Sequence, residues 1–283
     1  MTSRELARAG YSLVMLNRNL EAAARVRDEI MAQVPGAEVH SLACDLASLA
    51  SVRLCAEGMR SRFDAIALLI NNAGTVSTRH RMSEDGFELT FATNHLGPFL
   101  LTNLLLDRMA IPGRIVNVAS RIHYRGALKL DEVANPKAPY NSRAAYAQSK
   151  LANVMFTAAL AHRLSGTGVT ANCLHPGVVA TNLLPPWLRL VKPFISRVMF
   201  DADRGAQTSL HLALSQDLAD ISGCYFDEYQ RRQAPAACAM EAGRQELLWR
   251  ASERWTANDR QLVGAAGTPA ENHPATSCGA HRI

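Results

Sequence analysis

In Ala145-Tyr146-Ala147-Gln148-Ser149-Lys150-Leu151 a phenol and an ammonium stand four positions apart, so on a helix they share one face. A cation within a few ångströms favours the phenolate and lowers a tyrosine pKa by roughly 1–3 units from its ordinary value of about 10. That equips the pair for general acid/base work near neutral pH. The same spacing also occurs on ordinary amphipathic surfaces, and taken alone the pair decides nothing.

Positioning such a pair takes a scaffold, and the composition supplies one. The 283 residues, 48% of them hydrophobic, suit one large domain with a sizeable core. Thirty basic and 25 acidic residues give a net charge of +5, but the Lys and Arg are scattered and form no block, which argues against nucleic acid as a partner. The six cysteines (Cys44, Cys55, Cys173, Cys224, Cys238 and Cys278) lie far apart with no C-x-x-C pair, so neither a zinc site nor a disulfide framework is expected. The N-terminus lacks the apolar core of a signal peptide, and no stretch approaches the roughly 18 apolar residues of a membrane span. A cytoplasmic protein, at most peripheral to a membrane, is the expectation.

Along the chain, short apolar runs alternate with helical stripes. Residues 2–9 read as the far half of a helix stopping at Gly10, and Ser12 to Leu16 as a buried strand closing in Asn17-Arg18. Helices follow over about 20–34, 49–62, 85–109, 144–164 and 202–215. Strands are expected at 38–44, 66–71, 114–119, 169–174 and 224–226. Strict alternation predicts an α/β fold with a doubly wound, mostly parallel sheet in a single domain over 1–263. Residues 264–283 lack apolar periodicity and read as a disordered tail.

Four further motifs stand in order with the Tyr146/Lys150 pair: Asn71-Asn72-Ala73-Gly74, then Asn94, then Val116-Asn117-Val118-Ala119-Ser120 upstream of it, and Pro176-Gly177 downstream. Together they resemble the short-chain dehydrogenase/reductase family from the first residues to about Arg254. Ser120 and Tyr146 stand 26 positions apart, and the intervening Arg121-Ile122-His123-Tyr124-Arg125-Gly126 and Tyr140-Asn141-Ser142 resemble the longer insert of the retinol-dehydrogenase-like branch. The resemblance implies that Tyr146 moves a proton at the substrate oxygen while Lys150 lowers its pKa and binds a cofactor ribose. Ser120 would hydrogen-bond the substrate oxygen, and Asn94 would hold a water linking Lys150 to solvent. Ser120 as a turn cap, and Asn94 bonded only to backbone, are the plainer alternatives.

The same resemblance implies a dinucleotide. Arg18, closing the first strand, would clamp the 2′-phosphate of NADP(H), with NAD(H) as the alternative if Arg18 is only a solvated strand end. Asp45 and Leu46 would meet the adenine, although Asp45 is equally suited to cap the helix that follows it. Asn72, Ala73 and Gly74 would lie along the ribose, Pro176 and Gly177 under the nicotinamide, and Thr181 on its carboxamide. The family's T-G-x-x-x-G-x-G turn is not found, nor a strand before residues 2–10. A sheet lacking that strand is expected to expose two edges and a hydrophobic slot, weakening folding and cofactor binding.

Residues 183–200 are apolar with interspersed basic residues and sit where the family builds its substrate lid, implying a lipophilic alcohol or carbonyl such as a retinoid, steroid or fatty aldehyde. Trp187, Leu188, Val191 and Phe194 also share a helical face suited to a membrane surface. The family habit is a homodimer or homotetramer. A second reading is a catalytically defective chain acting only through protein contacts, and a third an isomerase or dehydratase of the same fold.

Overall fold

A computed structural model describes residues 1–135, 139–177 and 202–257. Strand and helix alternate as α1 (Thr2–Arg8), β1 (Leu13–Asn17), α2 (Leu20–Gln33), β2 (Val39–Ala43), α3 (Leu49–Arg62) and β3 (Ile66–Asn71). Next come α4 (Leu89–Phe91), a π-helical turn (Ala92–Leu96), α5 (Gly97–Leu105), β4 (Met109–Val118) and α6 (Asp131–Ala134). The remainder is α7 (Ser142–Arg163), β5 (Val169–Leu174), α8 (Ala202–Leu214), β6 (Tyr225–Phe226), β7 (Arg232–Gln233) and α9 (Ala242–Thr256). Local chemistry sets the helix starts. The side chains of Asn19, Ser48 and Asn141 each accept from the backbone N–H three residues on, capping α2, α3 and α7.

The β-strands are parallel except for β7, as the alternation requires, and β3-β4-β5-β6-β7 form one sheet. Helices cover both faces. Val116, Val118 and Leu174 pack against Leu212 of α8 on one side, while Ile115 and Ala171 meet Phe99 of α5 and Phe156 of α7 on the other. β1 and β2 pair only with each other. The expected pair of unpaired edges is therefore present, along β1 and along β3.

Several elements differ from the sequence reading. The helix expected over 85–109 begins at Leu89, because the buried Glu88 carboxylate accepts from the Thr90 and Phe91 amides at 2.9 and 2.7 Å and fixes the start there. Strand β4 begins at Met109, five residues before the expected Arg114. α9 and β7 were not anticipated. The buried residues of α9, Leu248, Trp249, Ala251, Ser252 and Thr256, form a narrow stripe among Arg and Glu, and β7 is two residues long. Thr181, the lid stretch 183–200 and the tail 264–283 lie outside the described residues. No helix among the described residues is long and apolar enough to cross a membrane.

His95, in the π-turn, is 1% exposed, and burial lowers its pKa to about 3. The ring is thus neutral in the fold and chargeable in the unfolded chain from about pH 6.5 downward. Its contribution to stability is complete above that pH and is lost as pH falls toward 3, at up to about 1.4 kcal/mol per pH unit. Urea midpoints measured between pH 7 and 4 should fall, and the slope should be shallower in His95→Gln.

Candidate active site

Helix α7 carries Lys150 into the protein interior, where its side chain is 3% exposed. Its Nζ donates to the Val118 carbonyl at 2.9 Å, the last residue of β4, and Asn153 Nδ2 donates to the same oxygen at 3.3 Å. Burial disfavours the charged form and lowers the lysine to about 8. One turn earlier, the Tyr146 ring lies under this ammonium, 5.7 Å from Nζ to centroid.

Two residues beyond Val118, Ser120 caps the 3₁₀ turn Arg121–Arg125, its Oγ accepting from Ile122 N at 3.4 Å, and its hydroxyl acts on the Tyr146 phenol to lower that group's pKa. Of the two roles foreseen for Ser120, the turn cap is the one seen here. The phenol's pKa is a correction to the sequence reading. Burial raises it above its ordinary value and the Ser120 hydrogen bond works in the opposite direction, while the ammonium spends its direct hydrogen bond on Val118. Tyr146 is therefore a neutral phenol at neutral pH.

Asn94 is fully buried in the π-turn, accepting from Thr75 N at 2.7 Å and donating to Thr75 O at 2.9 Å and Ser149 Oγ at 3.0 Å. Its amide is committed to protein partners and clamps the segment after β3 onto α7. Two of these bonds go to backbone, as the plainer alternative has it, and the third goes to the Ser149 hydroxyl. The clamp brings Gly74 close: a Cβ there would stand 3.3 Å from Asn94 Oδ1 and 3.4 Å from Lys150 Nζ.

A buried network supports the lysine. Asn71 Nδ2 donates to Thr102 Oγ1 at 3.0 Å and to Asn117 Oδ1 at 2.8 Å. Asn117 Nδ2 donates to Thr157 Oγ1 at 3.0 Å, and Thr157 donates to Asn153 O at 2.7 Å. Sequence reasoning missed Asn153 and Thr157 as participants. The signal was their spacing, three and seven positions beyond Lys150 on an otherwise apolar helix face. His123 was missed too. Its ring is wholly buried, sits 2.8 Å from the Ser120 carbonyl through Nδ1 and accepts from Ala236 N at 3.2 Å through Nε2, tying the serine turn to the chain after β7.

Residues 1–189 match the family model described as short chain dehydrogenase. The chain belongs to the short-chain dehydrogenase/reductase family. It is 40% identical over 272 residues to human retinol dehydrogenase 13, covering 89% of this chain and 79% of that one. Human retinol dehydrogenase 12 is 40% identical over 239 residues, with coverages of 81% and 74%. A crystal structure of an uncharacterized protein from Mycobacterium paratuberculosis superposes with a TM-score of 0.71 at 34% identity, covering 90% of this chain and 87% of that one. The chain is a retinol dehydrogenase-like oxidoreductase of this family.

The remaining residues anticipated for a dinucleotide in a short-chain dehydrogenase stand at the carboxyl ends of the strands. Asn72, Ala73 and Gly74 are exposed just past β3, and Gly177, two residues after His175, adopts φ +82°. Asp45 does not cap α3, because Ser48 does. Its Oδ1 accepts instead from Ala47 N at 3.0 Å, within its own turn. Leu46 packs its carbonyl so closely against Gly97 that a side chain there would collide. Arg18 lies in the bend between β1 and α2. Beside it Asn17 Oδ1 is buried without a hydrogen-bond partner among the described residues, an acceptor that a ligand hydroxyl would satisfy. Among the described residues no cluster of His, Cys, Asp or Glu is arranged to hold a metal ion.

Because Asn117 links two strands to α7, truncating it removes one acceptor from the Asn71 amide and the donor to the Thr157 hydroxyl, while Asn71 keeps Thr102 and Thr157 keeps the Asn153 carbonyl. Asn117→Ala should therefore cost about 1–2 kcal/mol in urea unfolding, the net worth of two lost hydrogen bonds at about 0.5–1.5 kcal/mol each.

Proposed function

We propose that this chain interconverts an apolar alcohol and its aldehyde or ketone with NADP(H) as hydride carrier, Tyr146 acting as general acid/base. One observation carries the reading: a desolvated ammonium, a phenol and a serine hydroxyl converge at the carboxyl end of β4. In doubly wound sheets ligands bind outside those strand ends.

The residues fit the ribose and nicotinamide half of a dinucleotide, given the side-chain-free face of Gly74 beside Lys150 and the unpartnered acceptor of Asn17 beside Arg18. Asn72, Ala73, Gly74 and Lys150 would hold the ribose, Pro176, Gly177 and Thr181 the nicotinamide end, Asp45 and Leu46 the adenine, and Arg18 the 2′-phosphate that favours NADP(H) over NAD(H). The reduced pyridine supplies hydride when bound. Tyr146, neutral at neutral pH, donates its proton to the substrate oxygen as the carbonyl is reduced. The Lys150 ammonium over its ring stabilises the phenolate left behind, and Ser120 donates a hydrogen bond to the oxygen as charge develops there. For oxidation the phenolate takes the proton back. The likeness to retinol dehydrogenases and the apolar stretch 183–200 favour a lipophilic substrate, with a retinoid, steroid or fatty aldehyde as the class to screen.

A second reading has its own observation. Between the unpaired edges of β1 and β3 the described residues offer no loop of backbone amides for a pyrophosphate. A chain with weak dinucleotide affinity, acting through protein contacts, is consistent with that. NADPH titration followed by protein fluorescence separates the two, because saturable quenching supports the enzyme and its absence the alternative.

With turnover of an apolar aldehyde as the assay, Tyr146→Phe should lower kcat at least about a hundredfold while leaving NADPH affinity within about twofold. Retained turnover would sink the acid/base assignment. Lys150 is held near 8, so its charge is lost above that pH. Reduction rates should therefore fall as pH rises through about 8, and Lys150→Met should abolish that limb along with most activity.

A further inference from the structure

Two consecutive side chains of the π-turn Ala92–Leu96 leave it in different directions. Asn94 turns its amide onto Thr75 and Ser149 beside Lys150, while His95 carries its ring to Ser252 of α9. The turn closes through Gly97 N–H to the Ala92 carbonyl, a wider loop of poorer geometry than the ordinary helical one. Such a winding must be held from outside.

Thr75 is a weak anchor for it. It follows Asn72, Ala73 and Gly74, which are exposed, and belongs to no helix or strand. The firm side is α9. Its Trp249 stacks on Phe156 of α7 with centroids 5.8 Å apart and lies 3.9 Å under the Arg163 guanidinium, while Trp255 meets Phe87 and Phe91 at 5.7 and 6.2 Å. Thr256, its last residue, accepts from Arg53 of α3 through its carbonyl. From this fixed helix Ser252, fully buried, stands 2.9 Å from His95 Nε2.

The His95 ring is surrounded by Phe91, Phe99 and Phe156 at 5.0, 5.9 and 6.0 Å, and its Nδ1 is buried without a hydrogen-bond partner among the described residues. A neutral ring carries one proton, and a buried N–H without an acceptor is rarer than an acceptor without a donor. The proton therefore sits on Nε2 and is donated to Ser252 Oγ. Ring contacts tolerate a range of distances and tilts, whereas a hydrogen bond is directional, so this bond sets where the turn points.

We infer that Ser252 is a positioning residue: through His95 it holds the π-turn in the winding that sets Asn94 against Thr75 and Ser149, and so keeps Gly74 seated beside Lys150. Its bearing on turnover rests on the function proposed above; its hold on the turn does not. Without the hydroxyl the Nε2 proton has no acceptor, and the ring must shift to find one, carrying Asn94 with it.

The test compares two variants of the whole chain that each remove one buried hydroxyl from α9. Ser252→Ala takes away the partner of His95. Thr256→Val takes away a hydroxyl that donates to the Ser252 carbonyl at 2.8 Å and makes no bond to the π-turn. Hydrogen exchange of the Thr75 amide, which Asn94 holds, should quicken about tenfold or more in Ser252→Ala and stay within about twofold of the parent in Thr256→Val. No quickening in Ser252→Ala, or equal quickening in both, overturns the proposal, because the turn then holds itself or α9 lends only general stability. With an apolar aldehyde, Ser252→Ala should lower kcat about tenfold with KM within about twofold, and should lower it no further when added to Asn94→Ala. A full additional loss in that background also overturns the proposal. A parent chain inert toward every aldehyde would sink the proposed function alone, since the exchange of Thr75 decides the role of Ser252 without turnover.

Discussion

An ammonium without water is the constraint around which the described structure is organised. Lys150 is buried almost completely, and its charge survives only because a strand ends beside it and leaves a main-chain carbonyl to accept its proton. At Val118 the ladder of β4 gives way: Ala119 N still donates to Leu174 O at 2.8 Å, and Ser120 already belongs to the next turn. Meeting the lysine's need therefore fixes α7 against the tip of β4. Tyr146, one helical turn earlier, then falls within reach of the serine without any further device.

The same turns of α7 show a different kind of fit with the loop after Ser120. Gly126 crosses α7 so closely that a Cβ would meet the Ala147 carbonyl at 2.7 Å and Leu151 Cβ at 2.8 Å. The loop that follows is stitched down by Gln148, whose amide exchanges bonds with both the N–H and the C=O of Lys129. The insert between Ser120 and Tyr146 is thus held by Ala147, Gln148 and Leu151, in the same two turns of α7 that carry Tyr146 and Lys150.

Much of this was readable beforehand, for physical reasons. Periodicity gave α3, β3 and β5 to the residue, because each is bounded by a cap or a turn and covered in a way that makes its apolar pattern plain. The order of Asn72, Ser120, Tyr146 and Lys150 gave the candidate site's placement, since each stands at a strand end or on a helix face whose position the fold class dictates. What failed depends on tertiary context. A phenol's pKa reflects how deeply it is buried and which bonds its neighbours have already made, so spacing alone suggested a fall where burial produces a rise. The bonds of the Asn94 amide to Thr75 depend on a π-turn that no pattern in the sequence announces. α9 was invisible because its buried stripe is a minority of its length.

That π-turn at Ala92–Leu96 has an evolutionary side. It carries one residue more per turn than the ordinary helix on either flank, with poorer bond geometry. Removing a single residue there would let the backbone wind regularly and bond better, while rotating everything before it by about 100° relative to α5. Thr75 and Ser149 would lose their common partner. A one-residue deletion in this stretch is thus locally favourable and globally disabling, which makes the irregularity easy to erase and hard to regain.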